Sequence, residues 1–217
     1  MNGNFQMGVL MLCIVFFNLS IQAQTKEWKN AKTKDGKIST KYYISTRSNE
    51  IGEKVPLIES VTTSTEKIGI EKCISLMKNV SKHKDFHGDN SSKLITTISE
   101  NQWVVYYYTE GTKFSPNSDG VYAMTFTEDK LKKTAAFTLN AEPTLYEKKD
   151  KDVKRVTYSN EVLTFKDLGN SMVEITMTAK MSPAFPVPAW IMKMSFPEPL
   201  FEVMKNFIKL AYVEPGK

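Results

Sequence analysis

"SPAFPVPAWIMKMSFPEPLFEVMKNFIKLA", residues 182–211, is the stretch on which the fold turns. Its five prolines all precede Leu200, and an apolar stripe follows them. Leu200, Phe201, Met204, Phe207, Ile208 and Ala211 recur at intervals of mostly three and four, while Glu202, Lys205, Asn206 and Lys209 fall on the opposite side. This spacing predicts a long amphipathic helix with a wide apolar face. Ser195-Phe196-Pro197-Glu198 has the form of a capping box with proline in the first turn. A helix that begins near Pro188 and kinks at Pro197 is the alternative. Either way, so broad an apolar face must lie against another apolar layer.

The rest of the chain supplies that layer as strands. Residues 38–46 and 55–65 are rich in β-branched and aromatic residues, the second entered through Pro56. The period then changes. Ile68, Ile70, Cys73, Ile74, Met77 and Val80 mark a short amphipathic helix, with Ser64 or Thr65 as N-cap. "SKHKDFHGDNSS" (81–92) reads as a polar loop. From Lys93 on, "KLITTIS", "QWVVYYYTE", "GVYAMTFTE", "KKTAAFTLN", "VKRVTYS", "EVLTFKD" and "MVEITMTAK" read as successive strands. The breaks between them are mostly short, which favours antiparallel hairpins over crossovers. The expected architecture is therefore α+β: a curved antiparallel sheet of eight or nine strands wrapped around the C-terminal helix. One helix cannot fill the concave side of so large a sheet, so a cavity is expected.

The N-terminus is of another kind. Residues 1–23 carry no charged side chain, and Gly8–Ile21 is an apolar run ahead of Gln22-Ala23-Gln24. The run is short for a membrane span and right for the apolar region of a signal peptide. Residues 1–23 are expected to be a cleaved leader and 24–217 one domain, exported to a periplasm or the exterior. Cys13 would leave with the leader, so Cys73 has no partner for a disulfide. The formal net charge is +5, with 29 Lys and Arg against 24 Asp and Glu. The lysines are scattered through turns and strand edges, which speaks for solubility and a weak, transient attraction to anionic membranes, not for nucleic-acid binding.

Four pieces of sequence carry a resemblance. They are Trp28 with Asp35-Gly36-Lys37-Ile38 and Tyr42; Ser118-Asp119-Gly120-Val121; Val153-Lys154-Arg155-Val156; and Pro186-Val187-Pro188-Ala189-Trp190-Ile191. In order and spacing they resemble the START domain, the steroidogenic acute regulatory protein-related lipid-transfer domain of the helix-grip superfamily. The resemblance runs from Trp28 to about Tyr212. Ser118 replaces the family's Arg, Leu163 stands where many relatives have Trp, and the first helix shrinks to a few residues around Trp28. The resemblance implies that the C-terminal helix is lid and floor of a hydrophobic tunnel, and that the protein binds, and transfers between membranes, an apolar small molecule or lipid. A monomer without cofactor is expected.

Strand alternation nominates the lining. In "MVEITMT" the apolar set is Val173, Ile175 and Met177; the resemblance favours Tyr122, Met124 and Phe126 in "GVYAMTF". For "QWVVYYY" the two faces are nearly equivalent, and the set chosen is Trp103, Val105 and Tyr107. Phe137, Trp190, Met194, Phe201, Met204 and Ile208 complete the candidates. Methionine adapts to irregular apolar ligands, although core burial and ligand lining look alike in sequence. His83 and His87 have helical metal-ligand spacing but lie in the predicted loop beside Gly88, so no metal site is assigned. Glu161 with Glu174, or Glu59 with Glu100, are the carboxylate pairs conceivable for acid–base work. The alternation reading finds no ionisable residues converging in the cavity, so a binding module is preferred over the alternatives: a cyclase or aromatase-type enzyme on the same fold, or a structural or interaction domain with a filled core.

Overall fold

The computed structural model describes residues 26–113, 115–147 and 150–213. The expected leader, 1–23, lies outside the described residues. The strands are β1 (Lys29–Lys32), β2 (Ser39–Ser48), β3 (Lys54–Glu66), β4 (Ser91–Ser99), β5 (Gln102–Thr109), β6 (Ser118–Asp129), β7 (Thr134–Ala141), β8 (Lys154–Arg155), β9 (Ser159–Gly169) and β10 (Met172–Met181). The helices are α1 (Ile70–Lys78), α2 (His83–His87), α3 (Ala189–Ser195) and α4 (Glu198–Val213). The strands form one curved, unclosed sheet in the order β1-β2-β3-β10-β9-β7-β6-β5-β4, with β8 added beside β6. Its pairs are antiparallel except β6 with β8, which is parallel. This is the helix-grip arrangement expected from the strand pattern and the terminal helix.

Apolar side chains at alternate positions of five strands face one side. Val105 and Tyr107 of β5, Tyr122 and Met124 of β6, Phe137 and Leu139 of β7, Leu163 and Phe165 of β9, and Val173 and Ile175 of β10 are all buried there. Helix α4 lays Phe201, Met204, Phe207 and Ala211 on that face. Phe207 stacks on Phe165, with ring centroids 5.6 Å apart, and meets Phe86 of α2 edge-on at 5.2 Å. Burying a side chain of that size contributes roughly 1.5–3 kcal/mol.

Several local expectations are corrected. The residues after Trp28 form strand β1, paired with β2 from Lys29↔Tyr42 to Lys32↔Ser39, not a remnant helix. Ser64 and Thr65 do not cap α1. They continue β3 and pair with Ile175 and Glu174, because the β10 ladder satisfies their backbone groups as far as Glu66. Helix α1 starts instead after Gly69, which supplies no side-chain cap. The predicted strand "VKRVTYS" is two pieces, Lys154–Arg155 beside β6 and the start of β9 at Ser159. The predicted loop 81–92 contains α2, which buries His83 and Phe86. The capping box does not form either. Ser195 is the last residue of α3, its Oγ donates to the Met192 carbonyl at 3.2 Å, and Phe196 in extended backbone separates α3 from α4.

Candidate functional site

The inner face is not filled along its whole length. A cavity of about 380 Å³ lies where the inward rows of five strands reach their other end. β3 contributes Ile58, Ser60 and Thr62, and β10 contributes Met177, Ala179 and Met181. Leu163 and Glu161 come from β9, Gly120 and Tyr122 from β6, Tyr107 and Thr109 from β5. Residues 182–185, Phe196, and Pro199, Leu200 and Val203 of α4 border it, with Phe86, His87 and Asp89 on the α2 side. Gly120 is glycine for a steric reason: a Cβ there would overlap the ring of Tyr122, which folds back over the strand.

Two hydrogen-bonded groups hold this end of the fold. His83 is buried, and its Nε2 lies 2.9 Å from the Met77 carbonyl, so Nε2 carries the proton and donates. Its Nδ1 then accepts from the Tyr107 hydroxyl at 2.7 Å. Burial pushes the His83 imidazole down to about 4, so it is neutral at physiological pH. On β6 the Asp119 carboxylate accepts from Arg155 Nε at 2.6 Å and Nη2 at 2.8 Å. Arg155 Nη1 also donates to the carbonyls of Pro143 and Tyr146, at 2.7 and 3.0 Å. A bidentate pair of this kind is strong and directional. It joins the two resemblance pieces around Asp119 and Arg155.

The polar wall of the cavity is built around His87, whose ring stacks on Tyr107 with centroids 5.3 Å apart. Its Nδ1 is 3.7 Å from Asp89 Oδ2, and its Nε2 is 3.5 Å from Glu161 Oε2. Both separations exceed a normal hydrogen bond. Asp89 accepts from Thr109 Oγ1 at 2.7 Å through Oδ1, and Glu161 accepts from Ser159 Oγ at 2.9 Å through Oε1. Asp89 Oδ2 and Ser182 Oγ are buried without a hydrogen-bond partner. Tyr107 and Tyr122 are held well above the ordinary phenol range by burial first, then by the negative charges of Glu161 and Asp89. Ionisable residues thus do converge here, which corrects the expectation that none would. His87 was hidden because a five-residue helix is too short to show a period, and Asp89 because it lies just past that helix, where no periodicity applies. Glu161 was legible: it shares strand parity with Leu163 and Phe165, so a carboxylate stands on the buried face. The pairing of Glu161 with Glu174 does not occur, since Glu161 faces Ala179 across the ladder and Glu174 faces Lys166.

Of the sequence candidates, Tyr107, Tyr122 and Met177 line the cavity. Val105, Met124, Phe137, Val173, Ile175, Phe201 and Met204 are packed in the solid core, with Trp103, Phe126 and Ile208 partly buried against it. They face inward but sit where α4 and α1 fill the space. Trp190 and Met194 are exposed, at 64% and 75%, and take no part in the lining, because α3 turns that side to solvent. Cys73 is fully buried, and burial pushes its thiol up to about 12, which makes it a poor nucleophile. Among the described residues no cluster of His, Cys, Asp and Glu has metal-binding geometry.

No protein-family model matches the chain, and a sequence search of curated proteins finds no match. Solved structures do match in shape. The STAR-related lipid transfer protein from Xanthomonas axonopodis (fragment 25–204) superposes with a TM-score of 0.69 at 19% identity, over 85% of this chain and 98% of that one. Human STARD10 gives 0.67 at 16% identity, over 85% and 73%. Human StAR-related lipid transfer protein 5 gives 0.67 at 12% identity, over 88% of each. The described chain therefore has a START-like fold.

Proposed function

We propose that the protein binds one hydrophobic molecule, a lipid or similar, in the hollow between the sheet and α4, and passes it between membranes. The observation that carries this reading is the cavity itself: about 380 Å³, walled largely by Ile58, Leu163, Met177, Leu200, Val203 and Phe196. That size suits a small-molecule site. Binding would be driven by desolvation, at roughly 25 cal/mol per Å² of apolar surface, less the cost of ordering the complex. The START-like fold supports the same reading, since two of the solved structures it resembles are described as lipid transfer proteins. Tyr107, Tyr122 and Met177 are the sequence candidates proposed to touch the ligand. Exposed Trp190 and Met194 on α3, next in the chain to cavity residues 182–185 and 196, support a transient membrane contact during exchange. Export with removal of residues 1–23 belongs to the same proposal, and N-terminal sequencing of protein from the native host checks it.

Native mass spectrometry and solvent extraction of the purified protein test the binding. A discrete apolar adduct is expected. No co-purifying molecule and no uptake from a panel of lipids and sterols would overturn the reading. His87 between Asp89 and Glu161 favours a second reading, an acid–base enzyme on the same fold. Extraction separates the two: a carrier returns its ligand unchanged, whereas an enzyme returns a product.

A further inference from the structure

The charges around the cavity are one-sided. The chain carries 29 Lys and Arg, yet among the described residues none of them lines the hollow. Its charged lining consists of Asp89, Asp119, Glu161 and the titratable His87. The Asp119 charge is cancelled by its bidentate partner Arg155. Asp89 and Glu161 have no such partner. With His87 neutral they leave two uncompensated negative charges, and with His87 protonated they leave one. The sign is negative in both cases.

Carboxylates held in apolar surroundings are costly unless paired. These two are only partly satisfied. Each accepts from one hydroxyl, Thr109 or Ser159. Oδ2 of Asp89 has no hydrogen-bond partner, only His87 Nδ1 at 3.7 Å, and Oε2 of Glu161 has only His87 Nε2 at 3.5 Å. Beside them stands a third, uncharged group. Ser182 is 3% exposed, lines the same cavity and has a hydroxyl with no partner. Its backbone N–H donates to the Tyr158 carbonyl at 2.9 Å, which extends the β9–β10 ladder just beyond the Met181↔Ser159 pair. Such unpaired buried groups are rare in folded proteins and call for a missing partner. Two carboxylates and a hydroxyl with unused acceptor capacity, on the lining of one largely apolar hollow, suit the N–H donors of an aliphatic ammonium.

We infer that the hollow selects an amphipathic cation, an apolar chain or ring system ending in an ammonium group, and rejects a ligand of the same shape ending in carboxylate or phosphate. The inference rests on the carrier reading above and names the class of molecule carried. The apolar body lies against Ile58, Leu163, Met177 and Leu200, and the ammonium sits at the acidic wall, in the field of Asp89 and Glu161, which flank the His87 ring. An anionic end would meet like charge in a medium that screens it poorly.

Competition binding with dodecylamine, dodecanol and dodecanoate, below their micelle concentrations and near neutral pH, tests this. The amine is expected to bind at least about tenfold more tightly than the carboxylate, with the alcohol between them. Glu161→Gln and Asp89→Asn are each expected to weaken amine binding by about tenfold and to leave dodecanol unchanged. Ser182→Ala, a smaller change, lowers amine affinity alone and serves should a carboxylate variant not fold. Dodecanoate binding as tightly as dodecylamine overturns the inference and leaves the carrier reading standing. So does an amine preference that survives in every folded variant. Failure of all three probes, the uncharged alcohol included, removes the carrier reading and this inference with it.

Discussion

The two ends of the sheet's inner face use the same strands and the same alternation, yet one is solid and the other hollow. On β10 the inward row begins with Val173 and Ile175 in the core and ends with Met177, Ala179 and Met181 in the cavity wall. On β9 the buried Phe165 gives way to Leu163 and then Glu161; on β6, Met124 gives way to Tyr122 and Gly120. Helix α4 makes the same passage, from Met204, Phe207 and Ala211 over the solid end to Pro199, Leu200 and Val203 over the hollow. Large rings interlock at the solid end: Phe137 with Phe126 at 4.7 Å, Phe165 with Phe207 at 5.6 Å. Small and polar residues such as Ser60, Thr62, Ala179 and Gly120 stand at the other. Stability and binding are thus divided along one set of strands. Close packing holds the fold at one end, and its omission at the other leaves room for a ligand.

The sharpest way to break this division is to truncate one side chain at each end. Phe207→Ala should cost about 3–5 kcal/mol in denaturant unfolding, because it removes a ring locked between Phe86 and Phe165. Leu200→Ala should cost less than about 2 kcal/mol, since Leu200 is only half-buried and already borders empty space. Equal losses would mean that the hollow is packed in solution.

The next effect lies at the boundary. His83 has a folded-state value of about 4 against an ordinary 6.5. Between those values the unfolded chain binds the proton and the folded protein does not. Stability is therefore complete above about 6.5 and falls as pH drops toward about 4, by on the order of 3 kcal/mol. Unfolding followed from pH 7 to pH 4 should show this slope, and His83→Gln should flatten it; an unchanged slope in the variant would remove His83 as its source. The smallest effect is an expected silence. Cys73, packed under α4 at the solid end, should resist thiol reagents in the folded protein and label only on unfolding, as peptide mapping can read. Labelling under native conditions would show that this end opens.

Periodicity and turn residues made much of the architecture legible. The stripe from Leu200 to Ala211 and the alternation in 102–109, 120–128 and 172–180 are local patterns, and local patterns need no tertiary knowledge. The hidden parts were those decided by distant partners. Ser64 and Thr65 could begin a helix or extend a strand, and β10 settled it. His83 and Phe86 read as loop because the helix that buries them has only five residues. Val173 and Met177 share one face of one strand and are alike to any alternation rule, yet one is core and the other borders the cavity.

By itself the sequence determined which side of each main strand is apolar and that a helix must cover that side, because alternation and helical period are properties of neighbouring residues. Only the tertiary structure decided where the covering stops short, and that His87, Asp89, Glu161 and Ser182, from four places in the chain, share the space left over. Empty volume and converging charge belong to the spacing between elements, and no single element encodes that spacing.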